Sequence, residues 1–136
     1  MTKININNKG SSETTCEETS FNLLKKDKDY YNWFIGFTEG DGSFVIPTNK
    51  PPQFEITQHI KDINVLYKIK KFLGFGSIIK RKERNVAVYQ VIGNYKSLIT
   101  LAYIFNGHIR CPERLKKFNL WVNTLKKHIE FDMILN

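Results

Sequence analysis

The sequence predicts an α+β chain whose elements run α-β-β-α-β-β-α-α, with four strands in antiparallel hairpins. Three observations carry that prediction. Helical hydrophobic spacing recurs in four stretches, 30–41, 61–73, 96–105 and 113–129. Between them lie two pairs of short strand-like runs, 43–49 with 53–58 and 77–82 with 86–92. Each pair is interrupted by turn residues, Lys50-Pro51-Pro52 in the first and Glu83-Arg84-Asn85 in the second.

Residues 1–20 are polar, rich in Asn, Ser, Thr and Glu, and show no apolar periodicity. They are expected to form a flexible tail ahead of a single domain over 21–136. The tail lacks the apolar core of a secretory signal, and with Glu13, Glu17, Glu18 and no arginine it is unlike an imported presequence. A protein of this kind working in an organelle is expected to be made there. From Phe21 to Lys28 a short apolar and basic stretch leads into the first helix, with Asp27 or Asp29 as its expected cap.

That first helix holds the most unusual segment of the chain, Trp33 to Phe44. Gly36 and Gly40 stand four residues apart and so share one helical face, with Trp33 and Phe37 beside them. Glycine inside a helix costs roughly 0.5–1 kcal/mol relative to alanine, so two in one short helix call for a reason. Close approach of a second backbone is one; an ordinary packed helix followed by a turn is the other. Asp41 falls at the helix end, where the macrodipole disfavours a bare carboxylate and a divalent cation would relieve it. Gly42 is placed to end the helix and release the chain into the first strand.

In the first hairpin Phe44, Ile46, Phe54 and Ile56 alternate with Val45, Pro47, Glu55 and Thr57, and the prolines between the runs suit a loop. Lys61 to Leu73 is amphipathic, with Val65, Leu66, Ile69, Phe72 and Leu73 on one side, and Gly74 stops it. The second hairpin follows. The last two helices carry Leu98, Leu101 and Phe105, then Leu115, Phe118, Val122, Leu125 and Ile129, at steps of three and four.

Lys plus Arg number 21 against 13 Asp plus Glu, for a net charge of +8, so a polyanion is the expected partner. No apolar run approaches the roughly 20 residues of a membrane span, and the charge is spread over several elements, which argues against a membrane surface. Cys16 and Cys111 are isolated, and His59, His108 and His128 are scattered, so neither a disulfide framework nor a structural zinc site is expected.

Phe34 to Gly42 resembles the LAGLIDADG motif of the homing endonucleases and related intron maturases. Gly36 matches the first glycine, Gly40 the second small residue and Asp41 the final, metal-binding acid. Phe34-Ile35 stands where the motif begins Leu-Ala, and Glu39 replaces its first Asp. The resemblance covers roughly Tyr30 to His128, because the element order is that of the LAGLIDADG domain. It implies a curved four-stranded antiparallel sheet lying on double-stranded DNA, with the helices behind it. No internal repeat or second motif is present. The chain is therefore expected to act as a homodimer or beside a partner LAGLIDADG domain, through Trp33, Gly36, Phe37 and Gly40.

What the resemblance implies is a site-specific DNA endonuclease using Mg²⁺, with Mn²⁺ as a possible substitute. Two alternatives stand beside it: a maturase that binds group I intron RNA and assists splicing, and a non-catalytic DNA-binding remnant. Asp41 and the backbone carbonyl of Gly40 would bind metal. Glu39, about 200° around the helix from Asp41, reads as structural or electrostatic. Gln58, in the family-like Thr57-Gln58, would position water. Arg114 would be the basic residue near the centre, with Lys116 and Arg110 as rivals. On the sheet face away from the helices, Asn49, Gln53 and Glu55 would read bases. Lys80, Arg81, Lys82 and Arg84 would meet phosphate or guanine, with Tyr89 or Gln90 nearby, although a charged hairpin is also a common solvated edge. Lys116, Lys117, Lys126 and Lys127 would cover the outer helical face. Mitochondrial encoding is the first expectation for location and the chloroplast the second.

Overall fold

The computed structural model describes residues 27–135, so the tail expected over 1–20 lies outside the described residues. The chain divides into two compact units, Met1–Trp33 and Phe34–Asn136. The described part of the first, residues 27–33, is helical, and within it the rings of Tyr30 and Trp33 meet at 5.1 Å. Helix α1 spans 27–41. Asp27 and Asp29 are already helical, which corrects their expected role as caps: neither glycine nor proline stands there to hold the helix back.

The second unit contains β1 (Gly42–Val45), β2 (Gln53–His59), α2 (Ile63–Leu73), β3 (Ser77–Arg81), β4 (Val86–Val91), α3 (Tyr95–Phe105) and α4 (Pro112–Leu135). The four strands form one sheet in the order β1-β2-β4-β3, every neighbour antiparallel. The expected element order therefore holds, with adjusted ends. β1 stops at Val45 rather than Asn49, because Pro47 has no N–H for the ladder and Asn49 turns at φ 62. Asn49 consequently sits in the hairpin turn instead of on the sheet face. The start of α2 is preceded by a 3₁₀ turn, Ile60–Asp62, in which the His59 side chain accepts from the Lys61 N–H. Gly74 ends α2 at φ 84, its N–H donating to the Lys70 carbonyl. α4 runs on to Leu135, past the expected Ile129, since no glycine or proline interrupts it after Pro112 at its first position. The Tyr95 hydroxyl, donating to the Asp132 carboxylate, ties those added turns to the start of α3. Among the described residues no helix is long and apolar enough to cross a membrane.

The core fills one side of the sheet. Phe44 is its centre, with ring centroids 5.1–5.6 Å from those of Phe54, Phe105, Phe118 and Trp121. Phe54, Ile56, Ala87 and Tyr89 point to the same side and are fully buried. Tyr89 thus leaves the DNA-reading group in which it was expected. Its hydroxyl donates to the Phe75 carbonyl at 2.7 Å. Trp121, also fully buried, donates its indole N–H to the Gln53 carbonyl at 2.7 Å and so clamps α4 to β2. Trp121→Phe keeps most of the apolar volume and removes this bond. It should lower stability by about 1–3 kcal/mol, and an unchanged denaturation midpoint would show that the bond contributes nothing.

Candidate active site and nucleic-acid face

The candidate site is built where α1 passes into β1 without a loop. Gly42 permits this: a Cβ there would lie 2.5 Å from Thr38 Cγ2 and 2.9 Å from the Thr38 carbonyl oxygen. No side chain fits, so the strand leaves the helix pressed against its last turn. Asp41, the final helical residue, is left exposed at that junction. Pairing of Gly42 with Ile56 brings the end of β2 alongside. The Gln58 side-chain amide donates to Asp41 Oδ2 at 2.9 Å and to its neighbour's carbonyl, Thr57 O, at 3.0 Å. Asp41 and Gln58, 17 residues apart, are thereby brought together.

Of the three basic candidates, Arg114 reaches the motif with its side chain. Its guanidinium Nη1 donates to the Gly42 carbonyl, one residue beyond Asp41. Arg110 meets the motif through its backbone N–H, which donates to Glu39 Oε2 at 3.1 Å. The Cys111 N–H donates to the same oxygen at 2.9 Å. Lys116 is exposed and lies with Lys117, Lys126 and Lys127 on the solvent side of α4. Glu39 is therefore committed to the backbone ahead of α4.

The two glycines present a bare face. Gly36 and Gly40 are exposed, and among the described residues a Cβ on either would meet nothing within 4 Å. Packing among the described residues requires neither glycine. Phe37 is half-buried and packs on the chain's own core. Trp33, in the first unit, is 42% exposed.

On the far side of the sheet the strand register sets rows of side chains. Ser43, Glu55, Gln90 and Ser77 make one row. Thr57, Val88 and Ile79 make the next, and His59, Val86 and Arg81 the third. Gln53, Glu55, Gln90 and Arg81 are thus on the expected face. Lys80 pairs with the buried Ala87 and has the opposite parity, exposed near the strand end. Lys82 and Arg84 occupy the 3₁₀ turn at the hairpin tip, which closes through Asn85 at φ 57. The sequence reading missed the Thr57-Val88-Ile79 row. Strict alternation along β3 would have found Ile79, but the apolar run Val86-Ala87-Val88-Tyr89 conceals which side Val88 takes.

Residues 34–125 match the sequence profile of the LAGLIDADG endonuclease family. The chain is 42% identical over 114 residues to probable intron-encoded endonuclease 4 of Neurospora crassa, covering 83% of this chain and 21% of that protein. It is 31% identical over 117 residues to intron-encoded RNA maturase bI4 of Saccharomyces cerevisiae, covering 85% of this chain and 18% of that one. The chain thus spans about a fifth of the length of these two relatives. Among solved structures it is similar to the archaeal intron-encoded homing endonuclease I-Vdi141I complexed with DNA. There the TM-score is 0.63 and the identity 27%, over 76% of this chain and 71% of that one.

Proposed function

Because the chain belongs to the LAGLIDADG endonuclease family, we propose that it supplies one half of a site-specific double-strand DNA endonuclease, a second copy or a partner LAGLIDADG domain supplying the other. The observation that carries this reading is the pairing of Asp41 with Gln58 beside a helix face bearing two exposed glycines.

The donors suit a hard divalent cation such as Mg²⁺, since the Asp41 carboxylate and the Gly40 carbonyl both offer oxygen. Among the described residues no three His, Cys, Asp or Glu groups converge to hold a metal unaided. That is the donor set of half a site, completed by phosphate oxygens, water and a second acidic end. When bound, the ion would supply charge neutralisation and an activated water. The chain's own residues do the rest. Gln58 orients the Asp41 carboxylate. Arg114 holds the Gly42 carbonyl and brings positive charge to the junction where a scissile phosphate would lie. Gln53, Glu55, Gln90 and Arg81 present hydrogen-bonding groups to base edges, while Lys80, Lys82, Arg84 and Asn49 flank them at the strand ends and turns.

Trp33, Gly36, Phe37 and Gly40 form the contact between halves. Association tests this directly. Replacing Gly36 and Gly40 together by alanine leaves the isolated fold intact, or firmer by about 1 kcal/mol, because helical glycine is costly and both Cβ positions are open. The same pair should shift the sedimentation mass from two copies to one and abolish double-strand cutting. Unchanged mass and cutting would sink the proposed interface.

A second reading, an RNA maturase, is favoured by the similarity to maturase bI4. It uses the same basic surface for intron RNA and has no need of Asp41. On either reading the protein is encoded in an intron, with the mitochondrion as the proposed setting.

A further inference from the structure

We propose that Glu39 is a positioning residue for the Asp41 site, acting through the start of α4 and Arg114; the inference rests on the nuclease reading above.

Glu39 precedes Asp41 by two residues and so projects from a different side of α1. Its Oε2 accepts from the N–H groups of Arg110 and Cys111 at 3.1 and 2.9 Å. These residues stand immediately before Pro112, the first residue of α4, where backbone donors lack partners within the helix and the helix dipole favours a negative charge. At the end of its own helix the same carboxylate is disfavoured, and this contact offsets that. The carboxylate therefore fixes the point at which α4 begins.

Arg114 lies within the first turn of α4, closed by the Leu115 N–H donating to the Cys111 carbonyl at 2.8 Å. A cation in the first turn opposes the dipole, so Arg114 is not there to support the helix. It donates instead to the Gly42 carbonyl, 72 residues away in sequence. The bonds form a ring: Glu39 to residues 110 and 111, the first turn of α4 to Arg114, Arg114 to Gly42, and Gly42 back to Asp41. The connection from α3 turns at Gly107, φ 80, and lacks regular structure up to Pro112. Ile109 anchors that connection in the core, and the carboxylate of Glu39 registers its last two residues, and so Arg114, against Asp41.

The test uses the full chain and a DNA duplex recovered from a randomised pool by binding. Glu39→Ala should slow single-turnover cleavage by about 10–100-fold, the effect of a misplaced group of this kind, with duplex Kd within about threefold of the parent. Glu39→Gln should restore the rate, because an amide oxygen accepts the same two N–H groups. In an Arg114→Ala background Glu39→Ala should add nothing, since both remove one device. A merely structural role would instead lower Tm, with rate losses that add and no rescue by Gln. Additive losses, a failed Gln rescue or an unchanged rate in Glu39→Ala would each overturn the proposal. Should the alanine variant not fold, Glu39→Asp decides: it keeps the charge but shortens the reach, and an unchanged rate overturns positioning. If the parent chain binds but never cuts, the nuclease reading falls. Amide hydrogen exchange at Arg110 and Cys111 then decides the clamp. Faster exchange in Glu39→Ala than in Glu39→Gln supports it, and equal exchange overturns it.

Discussion

Asp41→Asn should eliminate the proposed strand cleavage, with a loss of at least about 10²–10³-fold in single-turnover rate, while the fold and the affinity for duplex should persist. The side chain is exposed at the helix end and accepts a hydrogen bond from Gln58. Asn has the same shape and still offers an oxygen to that amide, so stability should change by no more than about 0.5 kcal/mol. The negative charge is lost, and with it the attraction for a divalent ion. The same variant separates the two readings of the protein: a nuclease falls silent, whereas splicing assisted by an RNA-binding maturase continues. Retained cutting in Asp41→Asn, measured with Mg²⁺ and again with Mn²⁺, would remove Asp41 from the proposed centre.

Gly76→Ala should be the most damaging single-methyl substitution in the second hairpin, costing about 3 kcal/mol or more and lowering Tm by roughly 10 °C. Two effects combine there. Gly76 has φ 101, which side chains rarely adopt, and its Cβ would lie 2.4 Å from Tyr89 Cε1 and 2.6 Å from both Cζ and the hydroxyl oxygen. Tyr89 is fully buried and anchored to the Phe75 carbonyl, so its ring has nowhere to withdraw. Gly74 is the control, at φ 84 with nothing among the described residues within 4 Å of its Cβ. Gly74→Ala meets backbone strain alone and should cost about 1 kcal/mol. Equal midpoints for the two variants, by thermal or chemical denaturation, would show that the ring contact is not the cause. Burial also pushes the Tyr89 phenol above its ordinary value of 10.0. Its contribution is therefore complete below pH 10 and is lost as pH rises from there, because the unfolded phenol ionises while the buried one stays protonated.

The hairpin that Gly76 and Tyr89 anchor carries Arg81 and Gln90 on the opposite face of the sheet. Packing in the core and presentation of the proposed reading residues are consequently linked. On the proposed reading a loosened Tyr89 should weaken duplex binding even though its ring is buried in the core.

Much of this organisation is local and was therefore legible. Two glycines four residues apart, an acid and Gly42 mark the motif helix and its exit. Proline-bearing and charged turns mark the hairpins, and Gly74 marks the end of α2, because helix and strand periods and turn chemistry act over a few residues. Where local chemistry gave no break, as before Tyr30 and after Ile129, the helices ran further than expected. The sequence by itself determined the order of elements, the acidic end of α1 and the face carrying Gly36 and Gly40. Only the tertiary structure decided that Arg114, rather than Arg110 or Lys116, reaches the motif with its side chain. It also turned Tyr89 inward and gave Glu39 to the backbone before α4. The physical reason is distance along the chain. The Arg114 and Glu39 bonds join residues 71 or 72 positions apart, and no periodicity encodes which donor a folded chain will bring to which acceptor.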